Sequence, residues 1–260
     1  MQTANPDFFT FSEGKIPHII HYCWFGRRPL PGLAKRCMRS WERLLPGFEF
    51  RRWDETNFDI DSISYARKAY DMGKYAFVSD CARMHALYEY GGIYFDTDVE
   101  LIAPIEDLLN KGAFMASEVT PTSASDINDI RVNPGLGFAM PPRHPLIGEI
   151  LRKYETMKFD NPGGKADPET IVSVTTDILR AHGLANIPGI QHIAGIDIYP
   201  SNYFCPVSIV DGKKRITPST RAIHHFQQSW QSPFRKYGRR LLLRLGGVRL
   251  KLFFKRLLLR

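Results

Sequence analysis

The stretch Tyr90-Gly91-Gly92-Ile93-Tyr94-Phe95-Asp96-Thr97-Asp98 constrains this chain more than any other. It compresses a helix end, a short strand and two carboxylates into one run. The paired glycines are a helix stop, because glycine accepts the left-handed dihedrals of a C-terminal cap. Ile93-Tyr94-Phe95 has the branched and aromatic character of a buried strand. Asp96 and Asp98, two apart at the strand's end, are expected to project to one side. Two ionised carboxylates held close repel by roughly 4 kcal/mol at ~4 Å and an effective dielectric of about 20. A hard divalent cation relieves that repulsion, prefers oxygen ligands and takes substrate phosphates as further ligands. Open α/β sheets place their ligands at the C-terminal edge of their strands. An Asp-x-Asp by itself is equally a solvated turn, so its meaning depends on the surrounding chain.

Helical and extended patterns alternate on both sides of it. Residues 16–26 read as a first strand ending at a glycine turn, with Trp24 at its edge as a base-stacking candidate or a core tryptophan. Residues 33–45 form an amphipathic helix with Leu33, Cys37, Trp41 and Leu44 on one face. Residues 48–53 alternate as a second strand, and 62–72 form another helix. The helix over 76–90 aligns Phe77, Cys81, Met84 and Tyr88. Asp80 and Arg83 sit three apart on its neighbouring face, as a structural ion pair or as charge beside a nucleotide. Residues 99–102 continue extended, and the polar stretch 117–132 is expected to be a surface insertion or loop. Residues 132–140 read as a loop feeding a strand, with Asn133 a turn residue or a sugar-hydroxyl contact. Helices are expected over 144–157 and 169–182, and one or two strands over 198–210. Of the paired His224 and His225, one is a candidate nitrogen ligand or phosphate contact, with Ser229 adding an oxygen.

Charge is unevenly distributed. The net charge is +8, yet ten of the 35 Lys/Arg lie in residues 234–260, which hold no Asp or Glu. The other 25 face all 27 acids, so the folded part is near neutral and lacks the basic face that nucleic-acid binding requires. In the tail, Leu243, Leu250, Phe254, Leu257 and Leu258 share an arc flanked by Lys and Arg. That pattern suits an interfacial helix on an anionic membrane surface; packing on the domain is the alternative. The expected organisation is therefore a domain over 1–233 and a basic amphipathic tail over 234–260. At 43% apolar, 260 residues suffice for one large core. No signal-peptide pattern or spanning run is evident. Cys23, Cys37, Cys81 and Cys205 show no Cys-x-x-Cys spacing and read as reduced core residues of a cytosolic protein.

Taken together, residues 16–26, 74–83, 90–98 and the His224-His225-Phe226…Ser229-Trp230 end resemble glycosyltransferase family 32, the capsular-polysaccharide type with a DXD sugar-binding region. The resemblance implies an α/β GT-A fold, a Rossmann-like mixed sheet flanked by helices. It also implies a nucleotide-sugar donor, a divalent metal (Mn²⁺ or Mg²⁺) and retention of anomeric configuration. Carried over, Asp98 is the direct metal ligand, and Asp96 reaches ribose or sugar and the metal. Trp24 stacks on the base with Tyr94 as a neighbour, and Asp80 and Arg83 contact donor sugar and phosphate. Asn133 contacts the sugar, though the family's usual Asn-Thr-Gly is Asn133-Pro134-Gly135 here. His225, Ser229 and Trp230 close over the diphosphate, with His225 as third metal ligand. The implied reaction moves a hexose, UDP-linked on the resemblance to capsule enzymes, to a hydroxyl of a glycan or lipid-linked oligosaccharide. The expected location is the cytoplasmic face of the cytoplasmic membrane, without nucleic acid as partner. The alternatives are an Asp-x-Asp phosphatase, which Glu100 in the fifth position of the motif disfavours, and a non-enzymatic membrane or nucleic-acid-binding protein built around the tail.

Overall fold

The structure, a computed structural model, describes residues 14–123, 129–159, 169–207 and 213–227. Ser229, Trp230 and the whole of 234–260, and with them the expected tail helices and domain boundary, lie outside the described residues.

Along the chain, β1 (Ile19–Cys23), α1 (Gly32–Leu44) and β2 (Glu49–Trp53) are followed by a 3-10 turn (Ile60–Ser62), α2 (Ser64–Asp71) and α3 (Tyr75–Tyr90). Next come β3 (Gly92–Tyr94), β4 (Val99–Leu101), α4 (Glu106–Leu109), β5 (Phe114–Val119), β6 (Arg131–Val132) and β7 (Phe138–Met140). The chain continues through α5 (Pro145–Thr156), α6 (Ile171–Ala181), β8 (Gln191–Ile193), β9 (Ile196–Tyr199), α7 (Ser201–Phe204) and β10 (Ala222–His224). The main sheet runs β2-β1-β3-β7-β5-β9-β8, with β6 on β5 and a separate β10–β4 ribbon. Strands β1, β2 and β3 are mutually parallel, β7 is antiparallel to β3 and β5, and β5 is parallel to β9. This is the mixed sheet flanked by helices expected of a GT-A type fold.

Strand alternation divides the core into two layers. Tyr94, Phe138 and Met115 pack with α2, α3, α5 and α6, whereas Ile93, Ala139 and Phe114 pack with α1, α4 and α7. Helix α3 has apolar residues nearly all round, with Val78, Cys81, Ala82, Met84, Ala86 and Leu87 all buried. The one-faced pattern expected for it is too narrow, because β1, α2 and α5 enclose the helix from several sides.

The glycine pair acts as expected. Gly91 (φ 61°) caps α3 by donating its N–H to Leu87 O at 3.0 Å. Gly92 (φ 100°) passes so close to β1 that a Cβ would stand 2.6 Å from Ile19 O. His21 pins the junction: its Nε2–H donates to Gly91 O at 2.9 Å, and its Nδ1 accepts from Trp53 Nε1–H at 2.9 Å. One imidazole thereby ties β2, β1 and the α3–β3 turn together.

Three expectations are corrected. Strand β3 ends at Tyr94, and Asp96-Thr97-Asp98 forms a turn closed by Val99 N–H on Asp96 O at 3.0 Å. The carboxylates converge through that turn and not through strand alternation. The stretch 117–132 is not all surface: Ser117 pairs with Val132, and Ser117 and Glu118 are buried. Of the one or two strands expected over 198–210, the first ends at Tyr199 and gives way to α7, because Pro200 cannot donate to a sheet, while residues 208–210 lie outside the described residues. All four cysteines are buried and unpaired by disulfides. Among the described residues no helix is long and apolar enough to cross a membrane.

Candidate metal and donor site

Parallel pairing of β1 with β3 (His21 beside Tyr94) sets Trp24 and Asp96 just beyond two adjacent C-terminal strand ends. Trp24 is half-buried and fixed by donating its Nε1–H to Arg28 O at 2.6 Å. Helix α3 runs beneath this edge and supplies Arg83 from below.

Arg83 is buried and makes a three-way junction. Its Nη2 lies 3.0 Å from Asp80 Oδ1 and 3.3 Å from Asp96 Oδ1, and its Nε donates to Ser79 O at 3.2 Å. The guanidinium stacks 4.7 Å from the centroid of the Tyr94 ring, whose hydroxyl donates to Asp96 Oδ1 at 3.1 Å. Tyr94 is thus a buried support of Asp96. Burial pushes the Asp80 carboxyl up to about 7 against the pull of Arg83. Burial also raises Asp96, again opposed by Arg83, with the Asp98 charge adding to the rise. Burial would lower Arg83, but Asp96, Tyr94 and Asp80 raise it and keep it charged.

On the other side stands the β10–β4 ribbon. His224 pairs with Val99, and His225 N–H donates to Asp98 O at 3.0 Å. His224 Nε2 lies 3.1 Å from Asp98 Oδ1 and 3.9 Å from Asp96 Oδ2. Phe226 takes a left-handed conformation (φ 47°), and the following Gln227 N–H donates to Asp98 Oδ2 at 2.6 Å. Burial would raise Asp98, but His224 and the Gln227 N–H hold it below the usual carboxylate range. Burial would lower His224, but Asp98 and Asp96 raise it instead.

The imidazole that reaches the acids is that of His224, not the expected His225. His225 turns away, with Nε2 2.8 Å from Glu100 Oε2. Adjacent strand residues point to opposite faces, so only one of the pair can reach the acids. Asp96, Asp98 and His224 bring donor atoms within 4.8 Å of one another. Two carboxylates and an imidazole, with Asp96 still 29% exposed, fit a divalent cation that keeps open positions for a ligand.

The loop 133–136 closes the floor. Asn133, expected at the sugar, has internal partners at both ends of its amide: Oδ1 accepts from Gly135 N–H at 2.7 Å, and Nδ2 donates to Glu118 Oε2 at 2.8 Å. Gly135 O accepts from Asp96 N–H at 3.0 Å, and a Cβ on Gly135 would overlap Asp96 Oδ2. Gly135 was signalled only as the last position of the Asn133-Pro134-Gly135 stretch, and Glu118 had no signal in the sequence. Ser229 and Trp230, expected over the diphosphate, lie outside the described residues.

With that geometry in view, residues 31–115 match the family model described as "Glycosyltransferase sugar-binding region containing DXD motif". The chain is 29% identical over 154 residues to inositol phosphoceramide mannosyltransferase 1 of Schizosaccharomyces pombe, covering 56% of this chain and 44% of the relative. It is 23% identical over 130 residues to human alpha-1,4-N-acetylglucosaminyltransferase, covering 50% and 34%. The aligned part thus spans less than half the length of these relatives. Among solved structures, the galactosyltransferase LgtC with donor and acceptor sugar analogues aligns at TM-score 0.43 and 11% identity, over 83% of this chain and 90% of that one.

Proposed function

We propose that this chain, a family-32-like glycosyltransferase, is a metal-dependent retaining enzyme that moves a hexose from a nucleoside diphosphate, UDP in the first instance, to a hydroxyl. One observation carries the reading: Asp96, Asp98 and His224 converge at the β3 edge above the buried Arg83, with Trp24 at the end of the neighbouring strand β1. Mn²⁺ or Mg²⁺ held there supplies positive charge that stabilises the leaving diphosphate. Tyr94 and Arg83 fix Asp96 Oδ1, which leaves Oδ2 turned to His224 and the open side. Gln227 N–H and His224 likewise hold Asp98, so the acids are oriented before a donor arrives. Trp24 offers a ring for the base at the neighbouring strand end.

The transfer is a front-face displacement. The bond from the anomeric carbon to the diphosphate oxygen breaks while the acceptor oxygen bonds on the same face. The acceptor proton passes to the departing phosphate oxygen, and the configuration is retained. Trapping a glycosyl adduct on an Asp or Glu of this site would overturn that step.

The names of the relatives, which describe mannosyl and N-acetylglucosaminyl transfer, agree with a hexose-type donor. An inositol phosphoceramide acceptor in one of them agrees with a glycan or lipid-linked acceptor for this chain, in surface-polysaccharide synthesis on the cytoplasmic face of the membrane. The basic stretch 234–260 is proposed as the contact with anionic lipid; equal flotation of the full chain and of one ending at Trp230 would reject it. The deciding experiment is a nucleotide-sugar panel with and without Mn²⁺, reading released nucleoside diphosphate. Metal-stimulated release from one donor supports the reading, and no release from any donor sinks it.

A further inference from the structure

We infer that Glu118 and Asn133 are positioning residues that aim Asp96 at the cation through Gly135. The inference rests on the metal-site reading above.

The two faces of Asp96 are held differently. Oδ1 is anchored from below by Arg83 and Tyr94. Oδ2 faces His224 at 3.9 Å, beyond hydrogen-bond reach, and lies over Gly135, where any Cβ would overlap it. The Gly135 backbone is therefore the wall that decides where Oδ2 sits. Gly135 lacks the left-handed φ that most of the described glycines adopt. A larger residue is thus excluded by the carboxylate and not by backbone conformation.

What holds that wall is local chemistry. Leu136 N–H donates to Asn133 O at 3.2 Å, which closes a turn with Pro134 and Gly135 at its centre. Asparagine suits the first position of such a turn, and proline the second. The Asn133 oxygen holds the Gly135 N–H, and the Gly135 carbonyl holds the Asp96 N–H. Both peptide edges of Gly135 are tied, one to each side of the link.

The Asn133 amide is itself kept from flipping. Its Nδ2–H donates to Glu118 Oε2, and Arg131 Nη2 sits 3.1 Å from the other Glu118 oxygen. Glu118 is buried on β5, and Asn133 N–H donates to Ala116 O of the same strand at 2.9 Å. A carboxylate can only accept, so it fixes which end of the Asn133 amide faces Gly135. The path runs from β5 through Glu118, Asn133 and Gly135 to Asp96 without a gap. In this account Asn133 is spent on orienting the loop, not on binding a sugar.

The test is Mn²⁺ affinity of the full chain, read by electron paramagnetic resonance without donor, beside thermal unfolding. Gly135→Ala is expected to weaken Mn²⁺ binding by about tenfold or more, since supporting contacts of metal ligands carry effects of that size. Asn133→Asp keeps the oxygen for Gly135 but sets two carboxylates together, and is expected to weaken Mn²⁺ similarly. Adding Glu118→Gln to Asn133→Asp restores the hydrogen bond with donor and acceptor exchanged, and is expected to recover the affinity. Wild-type affinity in both Gly135→Ala and Asn133→Asp overturns the inference. So does a double variant that regains its melting temperature without regaining Mn²⁺. Failure of the wild-type chain to bind Mn²⁺ would instead remove the metal-site reading itself.

Discussion

His224 Nε2 stands 3.1 Å from Asp98 Oδ1, while the next residue, His225, turns its Nε2 to Glu100 Oε2 at 2.8 Å. One step along the chain separates a residue at the acidic pair from one that braces the outer ribbon. His224→Ala is expected to lower Mn²⁺ affinity by about tenfold or more, the scale typical of losing a group that orders a metal site. His225→Ala is expected to leave it within about threefold, because adjacent strand positions face apart. Titration calorimetry of both variants checks this, and the reverse order would return the ligand role to His225.

Cation binding should also stabilise the fold. At a free Mn²⁺ concentration of about 100 times its dissociation constant, binding only the native state adds about 2.7 kcal/mol. The melting temperature is expected to rise with Mn²⁺, fall back with chelator, and stay flat in Asp96→Ala/Asp98→Ala. An equal rise in the double variant would place the ion elsewhere.

Among the described residues, Arg83 is the cation that the observed contacts set between buried Asp80 and half-buried Asp96. Arg83→Met leaves both acids uncompensated and is expected to cost about 3–5 kcal/mol, as breaking a buried pair does. Asp80→Asn keeps the shape and removes one acid, so its cost should be smaller. Urea midpoints for the two variants decide the order; equal midpoints would mean that Arg83 does not hold this junction.

Gly92→Ala meets two obstacles, a φ of 100° and a Cβ position 2.6 Å from Ile19 O. Gly112→Ala meets only the first, with φ 115° and open space around it. Both should destabilise, by about 1 kcal/mol or more for the strain alone. Gly92→Ala should cost clearly more, since the β1–β3 pairing must shift. Comparable unfolding free energies would show that the close approach is soft.

The pH response follows from His21, whose pKa burial lowers to about 4 from 6.5, against a rise from the Gly91 carbonyl. The sign is that of a base whose folded pKa is depressed. Between about 6.5 and 4 the unfolded chain takes up a proton that the folded chain refuses, so stability falls as pH falls through that window. The slope approaches about 1.4 kcal/mol per pH unit. Asp80, raised to about 7, works the other way, because the folded state binds its proton first and gains stability as pH falls. His21→Gln keeps one donor and one acceptor and removes the titration. Its stability should lose less than the wild type between about pH 6.5 and 4.5; parallel curves would remove His21 from the acid response.

Much of this molecule is legible in its sequence. The Gly91-Gly92 stop, the helix before it and the strand after it follow from dihedral preference and side-chain type, which act within a few residues. The helices over α1, α3, α5 and α6 follow from apolar spacing for the same reason. The position of Asp96, Asp98, Asp80 and Arg83 as one group is also readable, since all lie on one helix–strand unit. What tertiary structure decided is register and direction. Whether His224 or His225 faces the acids depends on how β10 lies against β4, strands more than a hundred residues apart. That Asn133 turns inward to Glu118, and that Gly135 rather than a side chain walls Asp96, depends on β5 passing beside that loop. Local propensity carries no information about such pairings, because their free energy exists only once distant segments have been brought together.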